Sequence, residues 1–221
     1  MAQYSRIQVI NKMMELRMVP LFYNSDFQVA KNILQACYNG GARLIEFTNR
    51  GDFAIEVFSK LIKFASKELP GMIVGIGSVT DSAAASQYML LGANFVVTPV
   101  LREDIAIVCN RRKVLWVPGC GSLSEIAKAE EMGCEFVKLF PGNIYGPDFI
   151  KSVKAPQPWS SIMPTGGVSI EKSNLLGWFK GGADCVGLGS QLISKEVLIN
   201  QDFKKLEKNV LDTIQFIQKI K

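Results

Sequence analysis

Four segments of this chain repeat one layout. They are NGGARLIEF (39–47), LGANFVVTP (91–99), MGCEFVKLF (132–140) and GGADCVGLG (181–189). Each follows a helical stretch and reads glycine, a small residue, one variable residue, then a short apolar strand. The glycine suits a helix C-cap, where φ is positive. A strand that is apolar on both faces suits a buried parallel sheet. Four more apolar runs fall between the repeats, at 18–23, 71–77, 114–119 and 161–167. Helical patterns separate these strands, among them 26–39, 52–68, 80–91, 102–110, 122–132 and 169–180. Eight βα units in 221 residues predict an α/β fold of the (β/α)8 TIM-barrel type. The apolar spacing of MAQYSRIQVINKMMELR adds an N-terminal helix, and no linker divides the chain, so a single domain is expected over 1–221. An open doubly wound sheet is the alternative. It would not ordinarily need eight strands, and no G-x-G-x-x-G followed by a suitable acid is present.

Composition removes several classes of function. No run of about 18 apolar residues implies a membrane span, and the N-terminus lacks the apolar core of a secretory signal. The chain has no histidine, and its five cysteines, Cys37, Cys109, Cys120, Cys134 and Cys185, form no C-x-x-C pair. These features argue against a zinc site and a disulfide framework and fit a reducing cytoplasm. Cys120, between Gly119 and Gly121, is the one cysteine expected to be accessible. The net charge of +5 is mild. Its lysines read as a solvated helix face, not a nucleic-acid surface, because no aromatic residues interleave them. Anionic small ligands remain open.

The ends of the expected strands carry the chemistry. In a (β/α)8 barrel the catalytic groups sit at the C-terminal ends of strands. Lys138 stands in the apolar run FVKLF (136–140). Burial disfavours its ammonium, and a neutral amine can attack a ketone to form a Schiff base. The plainer alternative is a structural lysine that snorkels or pairs with Glu46. Glu46, between Ile45 and Phe47, has a pKa pushed up by burial and down by a neighbouring cation, which suits a group that takes and gives a proton. It can equally serve only to position Lys138. Arg50 follows the strand, and its forked donors match a substrate carboxylate, unless it is simply a solvated loop arginine. The turns PTGGVS and GLGSQ are expected to lead into helices and to favour anions. Barrels often bind phosphate there, which marks Thr165, Gly166, Gly167, Gly189 and Ser190.

In order, LIEFTNR, GIGSV, TP, VPGCGSLSE, FVKLFPG, MPTGGV and GLGS resemble the 2-keto-3-deoxy-6-phosphogluconate (KDPG) / 4-hydroxy-2-oxoglutarate (KHG) aldolases, from about Val19 to about Leu192. The resemblance implies a metal-free class I aldolase without a cofactor, built as a (β/α)8 barrel and usually a homotrimer. Its partner is a small-molecule keto acid. Lys138 becomes the Schiff-base lysine and Glu46 the general acid/base, acting in part through a bound water. Arg50 and Ser78 hold the carboxylate of pyruvate, and Pro99 and Phe140 line its pocket. Thr165, Gly166, Gly167 and Ser190 face the far end of the substrate, including its phosphate.

The chain departs from the family pattern at Asn49 and Gly51, at Cys120 and Gly121, at FPGN (140–143) and at GLGSQ. The resemblance implies that all these positions lie at the mouth of the barrel, where the aldehyde portion is expected to bind. Two competing readings remain at this level. One is another phosphate-binding barrel enzyme; metal-dependent epimerases use histidines, which are absent, and a decarboxylase Asp-x-Lys array fails because residue 136 is Phe136. The other is a barrel that binds sugar acids without cleaving them.

Overall fold

Every strand pairing in this computed structural model, which describes residues 2–220, is parallel. The strands are β1 (Met18–Phe22), β2 (Leu44–Thr48), β3 (Ile73–Gly77), β4 (Phe95–Val97), β5 (Leu115–Val117), β6 (Gly119–Cys120), β7 (Val137–Leu139), β8 (Ile162–Pro164) and β9 (Val186–Leu188). All eight expected runs contain strand. The fifth is divided into β5 and β6 at Pro118, which has no N–H to give to a ladder. The pairings therefore form a six-stranded sheet, β5-β4-β3-β2-β1-β9, and a three-stranded sheet, β6-β7-β8. An isolated parallel bridge between Thr165 and Gly187 links the end of β8 to β9.

The expected helices are present as α1 (Arg6–Leu16), α2 (Phe27–Asn39), α3 (Ala54–Glu68), α4 (Ser82–Leu90), α5 (Glu103–Arg112), α6 (Leu123–Glu131), α8 (Lys172–Lys180) and α10 (Phe203–Ile217). Two helices lie outside the sequence reading, α7 (Gly142–Lys154) and the short α9 (Lys195–Ile199). In α7 the helical pattern is masked because Gly146, at φ 71° and ψ 175°, breaks the helix and Pro147 starts its second half.

Side chains alternate across a strand, and here the two faces build two separate cores. One face packs on the surrounding helices through residues such as Ile45, Phe47, Val74, Ile76, Val137 and Leu139. The other face forms its own cluster from Val19, Leu44, Ile73, Phe95, Val97, Leu115, Val117, Phe136, Met163 and Cys185. Helix α1 contributes Val9, Met13 and Leu16 to this second cluster. Their spacing of four and three puts them on one side of the helix, so α1 plugs the amino-terminal end of the strands.

The amino-terminal segment is tied down by one buried side chain. Asn94 Oδ1 accepts from the Gln3 and Tyr4 amides at 2.9 and 3.0 Å, and its Nδ2 donates to Val74 O at 3.1 Å. Asn94→Ala removes all three bonds and strands two amides. We expect it to lower the unfolding free energy by roughly 1–3 kcal/mol in urea titrations. An unchanged midpoint would show that Asn94 does not anchor this segment.

Candidate active site at the carboxyl ends of the strands

The interior face changes character along each strand. Two residues beyond Leu44 on that face is Glu46, and two beyond Phe136 is Lys138. Two and four residues beyond Ile73 are Gly75 and Gly77, and Gly119 and Gly187 hold the equivalent places after Val117 and Cys185. Bulky apolar residues thus fill the lower part, whereas glycines and polar side chains occupy the upper part. The glycines are needed for space. A Cβ on Gly77 would overlap the Glu46 carboxyl group, and one on Gly187 would overlap Thr165 Oγ1.

Glu46 is 1% exposed and Lys138 is 5% exposed. Among the described residues, neither Glu46 carboxyl oxygen has a hydrogen-bond partner. No ion pair joins Glu46 to Lys138, so the alternative of a paired structural lysine is not what the geometry shows. Lys138 Nζ instead stands 4.8 Å from the centroid of the Phe140 ring. Burial lowers the Lys138 pKa from its ordinary value; Glu46 opposes that shift and Arg50 adds to it. Burial raises the Glu46 pKa, with Lys138 and then Arg50 opposing. The lowered Lys138 pKa has the direction expected from the sequence; for Glu46, where the sequence left two opposing effects, burial is the larger.

Arg50 is exposed, and its Nε donates to Ser78 Oγ at 3.3 Å. Ser78 stands in the left-handed region at φ 56°. A cavity of about 660 Å³ opens beside these groups. Arg50, Phe140, Thr165, Gly166, Gly167, Gly189 and Ser190 all line it. Ser78 is joined to it through Arg50, and Lys138 through Phe140. Glu46, Lys138, Ser78 and Pro99 do not themselves form its wall, and Pro99 is placed with its carbonyl against Gly119.

Two sequence expectations need correction. Cys120 is buried like the other four cysteines, because β6 pairs with β7 at Cys120 and Leu139. Neither glycine turn opens directly into a helix. Helix α8 begins at Lys172, three residues beyond PTGGVS, and α9 at Lys195, four residues beyond GLGSQ.

The cavity also holds residues that sequence reasoning passed over. Tyr23, Thr48 and Lys195 line it, and among the described residues Arg50 and Lys195 are its only charged lining residues. Nothing local marks Lys195, a surface lysine at the start of a five-residue helix. Thr48 and Tyr23 both had a signal: Tyr23 ends the expected strand at 18–23, and Thr48 directly follows the expected strand that ends at Phe47. No group of three or more His, Cys, Asp or Glu side chains among the described residues is arranged to hold a metal ion.

The family model for KDPG and KHG aldolases matches residues 9–209. The chain belongs to this family. A 2-dehydro-3-deoxy-phosphogluconate aldolase of Pseudomonas aeruginosa is 32% identical over 171 residues, covering 76% of this chain and 74% of that protein. A KHG/KDPG aldolase of Escherichia coli K12 is 27% identical over 203 residues, 89% of this chain and 90% of its own. Among solved structures, the KDPG aldolase of Zymomonas mobilis ZM4 with 3-phosphoglycerate superposes with a TM-score of 0.81 at 27% identity, covering 94% of this chain and 95% of that one. A KDPG aldolase of Legionella pneumophila, captured with pyruvate as a covalent carbinolamine, shares the fold with a TM-score of 0.83 at 22% identity, over 91% of this chain and 96% of that one.

The electrostatics of the buried pair give a direct titration test. After reductive ¹³C-methylation, NMR titration of Lys138 should give a pKa below the ordinary lysine value of 10.5. Glu46→Gln removes the anion that favours the ammonium, so the Lys138 pKa should fall further. An unchanged or higher pKa in that variant would show that Glu46 does not stabilise the Lys138 ammonium.

Proposed function

We propose that this protein is a class I aldolase that cleaves a 2-keto-3-deoxy sugar acid phosphate of the KDPG type to pyruvate and glyceraldehyde 3-phosphate. One observation carries the reading. A buried lysine whose ammonium is disfavoured shares an interior face with a buried carboxyl group, beside a cavity whose charged lining among the described residues is two cations.

In this reading Lys138 Nζ attacks the C2 ketone to give a carbinolamine, which loses water to form an iminium. Glu46, directly or through a water, takes the proton of the C4 hydroxyl. The C3–C4 bond breaks, its electrons flow into the iminium, and an aldehyde leaves. The remaining enamine takes a proton back at C3. Water then hydrolyses the imine, releasing pyruvate and free Lys138. The raised Glu46 pKa suits a group that both accepts and returns a proton. The reading uses no metal and no cofactor beyond the covalent imine.

Arg50 and Ser78 hold the carboxylate in this scheme, and Phe140 and Pro99 bound the pyruvate portion. Thr165, Gly166, Gly167, Gly189 and Ser190 receive the far end. Thr165 Oγ1 is buried without a partner among the described residues, so it is free to contact a ligand. Lys195 supplies a second cation on the cavity wall, which suits a substrate with an anion at each end. The shorter 4-hydroxy-2-oxoglutarate, which would give glyoxylate by the same steps, is the alternative substrate; a second lining cation suits the phosphorylated acid.

We further propose that the two sheets form one closed eight-stranded barrel and a single working domain. The Thr165–Gly187 bridge and an interior cluster fed from both sheets support closure. A homotrimer in the cytoplasm is the proposed state. Five unpaired buried cysteines suit a reducing compartment. No helix among the described residues is long and apolar enough to cross a membrane.

Pyruvate release from KDPG, followed with a coupled dehydrogenase, tests the reading. Lys138→Ala should abolish turnover in a folded protein, and Glu46→Gln should lower kcat by about 10²–10⁴-fold. Lys195→Ala should raise KM for the phosphorylated substrate by about tenfold, as loss of a charge-assisted contact implies. Cleavage by Lys138→Ala at the wild-type rate would overturn the mechanism.

A further inference from the structure

The two departures that flank Arg50 each meet a tyrosine. On one side, Tyr88 OH donates to Asn49 Oδ1 at 2.8 Å. Tyr88 belongs to α4, is 2% exposed, and packs edge-on against Phe58 with ring centroids 5.1 Å apart. On the other side, Gly51 adopts φ 102°, and a Cβ there would lie 2.8 Å from Tyr23 OH. The Tyr23 ring is tilted against Phe47 at 5.7 Å and lines the cavity beside Arg50. An apolar residue at 49 could not accept the Tyr88 hydroxyl. A larger residue at 51 would be driven into Tyr23.

Arg50 itself is weakly held. It is exposed, and its side chain has one hydrogen bond, to Ser78 at 3.3 Å. The backbone around it is fixed by Asn49 N donating to Gly77 O at 2.8 Å and Arg50 N donating to Thr48 O at 2.9 Å. A long, flexible side chain on a loose loop loses conformational freedom when it binds a ligand, and fixing its backbone beforehand reduces that cost.

We infer that Tyr88, through Asn49, and Tyr23, against Gly51, are positioning residues that aim Arg50 at the substrate carboxylate. The inference rests on the reading of Arg50 as the carboxylate clamp. It assigns work to the Tyr88 hydroxyl and to the Tyr23 side chain, which the imine chemistry leaves unused. It also explains why asparagine and glycine stand together around this arginine.

The test compares two ketones in borohydride trapping at Lys138: pyruvate, which has a carboxylate, and pyruvamide, which does not. Tyr88→Phe and Tyr23→Phe should each raise the half-saturating pyruvate concentration by about five- to tenfold, as loss of a neutral hydrogen bond or contact implies. Pyruvamide, with no carboxylate for Arg50, should change less than twofold. Should Tyr88→Phe fail to fold, Asn49→Ala removes the acceptor without touching the core and should give the same split. Equal change for both ketones, or none for either, would overturn the inference, since a general effect on the fold cannot tell them apart. Absence of any pyruvate adduct on folded wild-type protein would overturn the reading of Arg50 and the inference with it. An adduct with an unsplit variant response would overturn the inference alone.

Discussion

Everything at the carboxyl end of these strands depends on burying an amine and a carboxyl group together without pairing them. A close ion pair would hold Lys138 as an ammonium and Glu46 as a carboxylate, and neither would be ready for proton transfer or attack. Here burial opposes both charges, and the two groups only partly offset each other's shift. Keeping such groups out of water costs free energy. A protein keeps such an arrangement where function needs it and is stabilised elsewhere.

That stability sits directly below the site. The interior face is filled by Phe95, Phe136, Leu44 and their neighbours, and α1 closes it with Val9, Met13 and Leu16. Two residues further along the same faces, side chains give way to glycine. Gly75 lies over the Phe95 ring, and Gly77 makes room for the Glu46 carboxyl group. The same alternation therefore builds the packed floor and opens the polar space above it. Loops beyond the strand ends then supply Arg50, Thr165–Gly167 and Gly189–Ser190 to the cavity lining.

Much of this was legible in the sequence. The glycine-small-variable-apolar repeat located the strands because it records two local demands, a helix C-cap and a buried parallel strand. Lys138 and Glu46 stood out because charges are rare within such strands. Other features depend on contacts distant in sequence. Gly146 and Pro147 hid α7, since a turn with positive φ breaks the periodicity that marks a helix. Cys120 looked open between two glycines, yet pairing with β7 buries it. Lys195 lines the same cavity as Arg50 although 145 residues separate them in the chain, and no local pattern announces that meeting. Asn49 and Gly51 were visible as departures, but their reasons, Tyr88 and Tyr23, emerge only in three dimensions.

The most direct measurement is to incubate the wild-type protein with pyruvate and borohydride and map the product by peptide mass spectrometry. The account predicts one adduct, carrying the reduced pyruvate on Lys138. An adduct confined to another lysine, or none on folded protein, would contradict it.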